Sequence, residues 1–248
     1  KEYTDYYEMT KERFFEALKT CRDLPKTSQP NPYTFVEYFK RYEEDYDEIF
    51  YVGMSSNGSG TYHSACIAVQ DYKEHGGKLK ITTFDSWNAT IGIGYYAHKA
   101  GQMLEEGKNT QEIYEELMHQ RQNFASYMVP ETLEFLKKGG RVNTVTAVVG
   151  GLLDIRPIIT ILEGWGRNYG KVRGAKQCVN KLVALYEEQH ANLEVYISHC
   201  NNLKLAQEMM DLLRQKYEDI CITMTEMGST LSAHAGPGAV GIHFLRKS

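Results

Sequence analysis

Two α/β domains are the fold class this sequence predicts, the N-terminal one on a mainly parallel sheet, and three observations predict it. The chain has 248 residues, 42% apolar and 24% charged, enough for one large or two modest cores and far from the composition of disorder. Short strand-like apolar runs alternate with helical patterns, as in βαβ units. Beyond Pro130 the texture changes and a second series of helices and strands begins. The expected division is 1–123 and 124–248.

Taken in order, Thr10 caps a helix whose Phe14, Phe15 and Leu18 share one face, and the proline-rich stretch Leu24 to Pro32 ends it. Asn31 as N-cap and Pro32 at the first position open a second helix, with Phe35, Val36, Phe39 and Tyr42 on its apolar side. Ile49 to Val52 is a strand, Gly53 to Gly60 a polar loop, and Tyr62, Ala65, Val69 and Tyr72 mark a helix. The order recurs with Leu79 to Phe84, Asp85 to Thr90 and Ile91 to Leu104. Thr110 is expected to cap the next helix, which carries Ile113 and Leu117, before the strand Phe124 to Val129.

The second series has a helix closed by Gly139 and Gly140, an apolar segment from Val142 to Leu153, and a strand from Ile158 to Leu162. Gly164, Gly166, Asn168 and Gly170 suggest a hairpin tip returning through Val172. A helix from Ala175 to Glu188, a strand from Leu193 to Ser198, a helix from Leu203 to Tyr217, and strands Ile220 to Thr225 and Ala239 to Phe244 complete the reading.

Charge narrows the function classes. Twenty-eight basic against 32 acidic residues give a net charge of −4, and no stretch concentrates Lys and Arg, so a nucleic-acid partner is not indicated. Five scattered cysteines without Cys-x-x-Cys spacing suit reduced thiols, and a cytoplasmic protein is expected. The most apolar stretch, Val142 to Leu162, is broken by Asn143, Asp154, Arg156 and Pro157, short of the ~20 apolar residues of a membrane span. The histidines are dispersed, and no metal or cofactor is expected.

In open α/β sheets ligands bind beyond the carboxyl ends of the strands. The loop Ser55-Ser56-Asn57-Gly58-Ser59-Gly60-Thr61 stands there, offering hydroxyls, N–H groups and a helix N-terminus to an anion. A turn and N-cap built from Ser and Gly for geometric reasons is the alternative, and both stay open. The loop lacks the Gly-Lys-Ser/Thr ending of a nucleotide-binding loop. Asp85-Ser86 follows the next strand on the same edge, placed either to orient neighbours or to cap a helix. Gly92-Ile93-Gly94-Tyr95-Tyr96-Ala97 lies too far past its strand for a dinucleotide fingerprint and lacks the acidic partner. His234, ahead of Ala235-Gly236-Pro237-Gly238, reads as a pinned loop histidine, either anion donor or backbone-satisfied turn residue. Lys137-Lys138-Gly139-Gly140-Arg141 ends a helix, where cations suit the dipole, and an exposed Arg141 also suits phosphate.

Thr27-Ser28-Gln29-Pro30, Ser55 to Tyr62, Asp85-Ser86, Leu136 to Arg141, Ile155-Arg156-Pro157-Ile158 and His234 to Ala239, in this order and spacing, resemble the bacterial DegV family through nearly the whole chain. The resemblance implies a non-enzymatic carrier of one long-chain fatty acid, the acyl-carrying subunit of a fatty acid kinase. It further implies that the fatty acid lies between the two domains, that a separate ATP-dependent kinase subunit phosphorylates the carboxylate, and that the acyl phosphate feeds phospholipid synthesis. It also implies a carboxylate site of Thr27, Ser28, Ser59, Gly58, Gly60 and His234, with Ser86 and Arg141 supporting the headgroup or the phosphoryl step, and it allows a transient membrane contact. Val148, Val149, Leu152, Leu153, Ile158 and Ile159 have the composition of a tunnel wall and equally of a packed core. Family members begin with a strand and a Thr-Asp-Ser segment that nothing here matches, so the first strand is expected to be missing. Two other readings compete. One is a serine hydrolase using Ser59 and His234, although Asn57 and Thr61 stand where a Gly-x-Ser-x-Gly elbow has glycine; the other is a lipid-stabilised sensor or scaffold.

Overall fold

The Thr10 hydroxyl accepts the Arg13 N–H at 3.4 Å and opens α1 (Lys11–Thr20). Asn31 does the same for α2 (Pro32–Tyr42), accepting the Tyr33 N–H at 2.9 Å ahead of a proline that has no N–H to satisfy. These elements belong to a computed structural model that describes residues 9–21, 23–141, 154–189 and 191–247. β1 (Glu48–Gly53), α3 (Thr61–Glu74) and β2 (Lys80–Asp85) form a βαβ unit whose strands pair in parallel from Glu48 opposite Lys80 to Gly53 opposite Asp85. The loops after both strands therefore leave the same edge. At the first paired position Lys80 donates to Glu48 at 3.0 Å.

α4 (Ile91–Glu105) and α5 (Thr110–Asn123) follow. Thr110, expected as a cap, is instead the first helical residue. Asn109 accepts the N–H groups of Gln111 and Glu112 at 3.0 and 3.1 Å while Glu112 accepts the Asn109 N–H at 2.8 Å, a reciprocal capping box. That frees the Thr110 hydroxyl to donate to Glu48 at 2.7 Å.

The chain continues through β3 (Phe124–Val129), α6 (Glu134–Lys138), β4 (Ile155–Leu162), β5 (Trp165–Arg173), α7 (Ala175–Glu188), β6 (Ala191–His199), α8 (Leu203–Lys216), β7 (Cys221–Glu226), α9 (Ser229–Ala235) and β8 (Val240–Arg246). These strands make a six-stranded sheet in the order β5-β4-β3-β8-β6-β7. β3 pairs antiparallel with β4 and β8, β8 antiparallel with β6, and β6 parallel with β7 across α8. The hairpin tip is shorter than expected: Glu163 and Gly164 both have positive φ (50° and 78°), the requirement of a tight two-residue hairpin turn, and β5 already begins at Trp165.

Two compact units emerge. The first holds the described residues of Lys1–Thr27, Asn123–Ile161 and Gly166–Ser248, the second those of Ser28–Gln122 and Leu162–Trp165. One crossing falls beside the expected 123/124 division, but the segment up to Thr27 groups with the later half of the chain. The cause is burial, since Phe15 and Leu18 of α1 pack with Cys200, Met227, Ala235 and Ala239. In the first unit, Tyr127 on β3, Ile242 and Phe244 on β8 and Ile197 on β6 meet Leu182 and Leu185 of α7 and Met209 of α8. Strand alternation turns Ser126, Ser198 and His243 to the opposite face. In the second unit Val36 and Phe39 of α2 pack against Ala68 and Tyr72 of α3 and Ile81 of β2. Ile158 and Ile159 are buried, the former in the main core of the first unit; the apolar segment Val142 to Leu153 lies outside the described residues.

Candidate functional site

In the first unit, α6 ends in a Schellman motif. Arg141 N–H donates to Leu136 O at 2.9 Å and Gly140 N–H to Lys137 O at 3.0 Å, with Gly140 at φ 70°. This turn brings the Gly139 backbone onto His234: a Cβ on Gly139 would lie 2.3 Å from His234 Nδ1. His234 is not in a loop as expected. It sits in the last turn of α9, a short helix of small residues closed by Gly236 at φ 76°, whose N–H donates to Ser232 O at 2.9 Å.

His234 Nε2 and Thr27 Oγ1 are 2.7 Å apart. The other ring nitrogen, Nδ1, is buried and has no hydrogen-bond partner among the described residues. Burial first, and then the positive charge of Arg141, lower the His234 pKa, so the ring is neutral at pH 7. A neutral imidazole has one N–H. If Nε2 carries it and donates to Thr27, the Thr27 hydroxyl proton is available to a third group; an anion beside Thr27 selects that tautomer. Arg141 is exposed and donates from Nη1 to Gly139 O at 2.8 Å.

In the second unit, the loop after β1 is organised from its first serine. Ser55 is buried; its N–H donates to Asn88 O, its carbonyl accepts the N–H groups of Gly58 and Ser59 at 2.9 and 3.0 Å, and its hydroxyl donates to Gly164 O at 2.7 Å. Asp85 Oδ1 accepts the Ser56 and Trp87 N–H groups at 3.2 and 3.1 Å, so this carboxylate orients both loops. The Gly58 N–H, one of the expected anion donors, is thus engaged inside the loop. Ser59 Oγ lies 2.9 Å from Thr61 Oγ1 and accepts the Thr61 N–H at 3.2 Å. α3 has no side-chain cap, which leaves the N–H groups of Tyr62 and His63 in its first turn without an intrahelical partner.

Three features of this unit are absent from the sequence reading. Gln29 lies across Gly60, where a Cβ would fall 1.6 Å from its Oε1, and donates from Nε2 to Ser64 Oγ at 3.0 Å. Arg121 donates to Asp85 O at 2.7 Å and stacks 3.6 Å over the Trp87 ring, while its buried Nε has no partner among the described residues. Trp87 and Thr90 hold positive φ of 53° and 54°, strain of the kind that gathers at ligand-binding loops. Gln29 belongs to the Thr-Ser-Gln-Pro motif that was in view; Arg121, on a helix end, gives no local signal.

Of the other expected site residues, Ser28 is exposed. Ser86 is fully buried, with its hydroxyl donating to Asn88 O at 3.4 Å and accepting the Asn88 N–H at 3.1 Å, a local turn. Gly92 packs against Asn88, where a Cβ would meet Oδ1 at 2.5 Å, in line with close packing in place of a dinucleotide loop. No helix among the described residues is long and apolar enough to cross a membrane.

Known proteins were compared with this chain. A family model described as "Uncharacterised protein, DegV family" matches residues 1–247. A curated protein of Thermotoga maritima named "Fatty acid-binding protein" is 32% identical, over 92% of this chain and 80% of its own. The crystal structure of a DegV lipid-binding protein from Thermotoga maritima has a TM-score of 0.83 at 32% identity, covering 95% of this chain and 83% of that one. A DegV family protein from Eubacterium eligens, loaded with heptadecanoic acid, has a TM-score of 0.86 at 27% identity, covering 100% and 89%. With the model spanning all but the last residue and the relatives matched over most of their length, the chain belongs to the DegV family.

Proposed function

We propose that this protein is a carrier of one long-chain fatty acid and holds the carboxylate with Thr27, Ser59 and His234. The observation that carries the reading is the Thr27–His234 pair, 2.7 Å apart with the second ring nitrogen unpartnered, in a family with a member loaded with heptadecanoic acid. A carboxylate drawn out of water needs donors. Thr27 supplies one through its hydroxyl, and the uncapped start of α3 beside Ser59 supplies the positive end of a helix dipole. Gln29 is tethered at Gly60, in the loop that carries Ser59. Each buried methylene of the tail adds about 0.8 kcal/mol.

In the finer form of this reading the protein needs no cofactor and catalyses nothing itself. A partner kinase transfers a phosphoryl group from ATP to the bound carboxylate for phospholipid synthesis, with Arg141 near the headgroup and a transient membrane contact for loading. Against a serine hydrolase, Asn57 and Thr61 stand around Ser59 where a Gly-x-Ser-x-Gly elbow has glycine.

Native mass spectrometry of the purified chain, followed by titration with heptadecanoic acid, tests the carrier reading. The expected result is one fatty acid per chain, bound roughly tenfold more weakly by Thr27→Val, the worth of one hydrogen bond to a charged group, with a stability loss of about 1–3 kcal/mol because His234 Nε2 loses its partner as well. A chain that neither carries nor takes up fatty acid overturns it. An Arg141→Ala chain that binds fatty acid normally and keeps full turnover with an added fatty acid kinase removes Arg141 from the phosphoryl step.

A further inference from the structure

The six-stranded sheet ends on β5 among the described residues. One stripe of α7, Gln177, Asn180, Lys181 and Ala184 at i, i+3, i+4 and i+7 spacing, flanks the buried face of that helix. With Ile155, Lys171, Val172 and Arg173 it lines an open cleft of about 510 Å³. The cleft is bounded by the last strand of a sheet and by the helix that covers that sheet, the surroundings of one further strand. Its apolar part is Ile155, Val172 and Ala184, and its charged part is wholly cationic, Lys171, Arg173 and Lys181. The chain as a whole carries −4. No ion pair engages Lys171 or Arg173 among the described residues, and Lys181 reaches only an exposed Glu188 at 3.5 Å.

We propose that β5 accepts an extended acidic segment of a partner protein as an added strand beside α7. Main-chain pairing to an open edge gives such complexes their affinity, and alternate side chains give specificity. Val172 is buried in the core while Lys171 and Arg173 are exposed on either side of it, so an incoming strand that alternates apolar and acidic residues sets its apolar row beside Val172 and its carboxylates beside the two cations. Cations on an edge strand also deter self-association; the same charges admit a partner of opposite sign. The apolar floor of Ile155, Val172 and Ala184 between the cations, beside the last strand of the sheet, favours a strand over an anionic lipid surface.

The test is fluorescence anisotropy of the full chain with a labelled peptide of alternating valine and glutamate. Saturable binding is expected, weakened at least about tenfold by K171E/R173E, and equally by Ala184→Phe, which fills the cleft without changing charge. A peptide N-methylated along one backbone edge is expected to bind no better than these variants allow, and hydrogen exchange across 165–173 is expected to slow on binding. Equal affinity for polyglutamate or for the N-methylated peptide would mean charge attraction alone and overturn the proposal. So would absence of peptide binding, with or without capture by phosphatidylglycerol vesicles that depends on Lys171 and Arg173.

Discussion

Two histidines of the first unit have been made neutral by burial and left in opposite hydrogen-bonding states. His243 on β8 lies between β3 and β6, with Nε2 at 2.8 Å from Ser198 Oγ and Nδ1 at 3.0 Å from Ser126 Oγ. Both nitrogens are satisfied, the side chain is buried, and burial holds its pKa at about 3. His234 on α9 has one nitrogen satisfied by Thr27 and the other buried without a partner among the described residues. A ring with both nitrogens paired cross-links three strands; a ring with one left over, beside a hydroxyl that can release its own proton to a third group, is equipped to meet a ligand. Hydrogen-bond completeness, more than burial, separates the structural histidine from the one proposed to bind.

The largest effect tests the satisfied side of this comparison. His243→Leu removes the hydrogen bonds that join its ring to Ser198 and Ser126 and replaces a paired imidazole in a buried polar cluster with an apolar side chain, at about 1–3 kcal/mol for each buried bond lost. Urea denaturation should show a loss of roughly 3–5 kcal/mol, with fatty-acid affinity of the remaining folded protein unchanged. A loss below about 1 kcal/mol, within the range of a single ordinary hydrogen bond, would mean that the three-strand link carries little.

The pH dependence comes next. A histidine whose folded pKa lies below its unfolded value of 6.5 keeps its stabilising contribution above pH 6.5 and loses it as pH falls toward the folded value, about 3 for His243. At about 1.4 kcal/mol per pH unit, His243 alone removes roughly 2 kcal/mol between pH 6.5 and 5, before most carboxylates titrate. His234 and His199, both lowered chiefly by burial, act in the same direction. Stability measured across that window should fall, and fall less steeply in His243→Leu. A flat profile from pH 6.5 to 5 would contradict the neutral, buried state of all three rings.

The same contrast marks what the sequence could reveal. Caps and periodicities are local, so α1, α2 and the strand–loop–helix order through β2 are legible from Thr10, Asn31-Pro32 and the apolar spacing. α9 is missed because Ser229 to Ala235 is short and mostly small residues, with Gly228 before it and no side-chain cap. The Thr110 expectation fails because Asn109 and Glu112 form the stronger reciprocal cap, and the hairpin is misjudged because Glu163 takes a positive φ that nothing in its side chain announces. Thr27 and His234 entered the site through family resemblance, as residues 207 positions apart leave no local pattern. Gln29 over Gly60 and Arg121 over Trp87 are tertiary contacts of the same kind, and no motif reports them.

The smallest predicted change in stability is the sharpest test of the open histidine, because two adjacent glycines separate position from strain. Gly139 has an ordinary φ of −77°, so alanine is free of backbone strain there, but its Cβ would stand 2.3 Å from His234 Nδ1. The ring must move and loosen its bond to Thr27. Gly140 has φ 70° and nothing within 4 Å of a Cβ, so alanine there strains the Schellman turn by about 1 kcal/mol and leaves His234 untouched. Both variants should lose similar stability in thermal unfolding, about 1–2 kcal/mol. Only Gly139→Ala should also weaken fatty-acid binding, by roughly tenfold. If Gly140→Ala weakens binding as much, the turn as a whole and not the placement of the imidazole governs the site; if neither does, the ring and its unpartnered nitrogen are bystanders, and the contrast with His243 is one of packing alone.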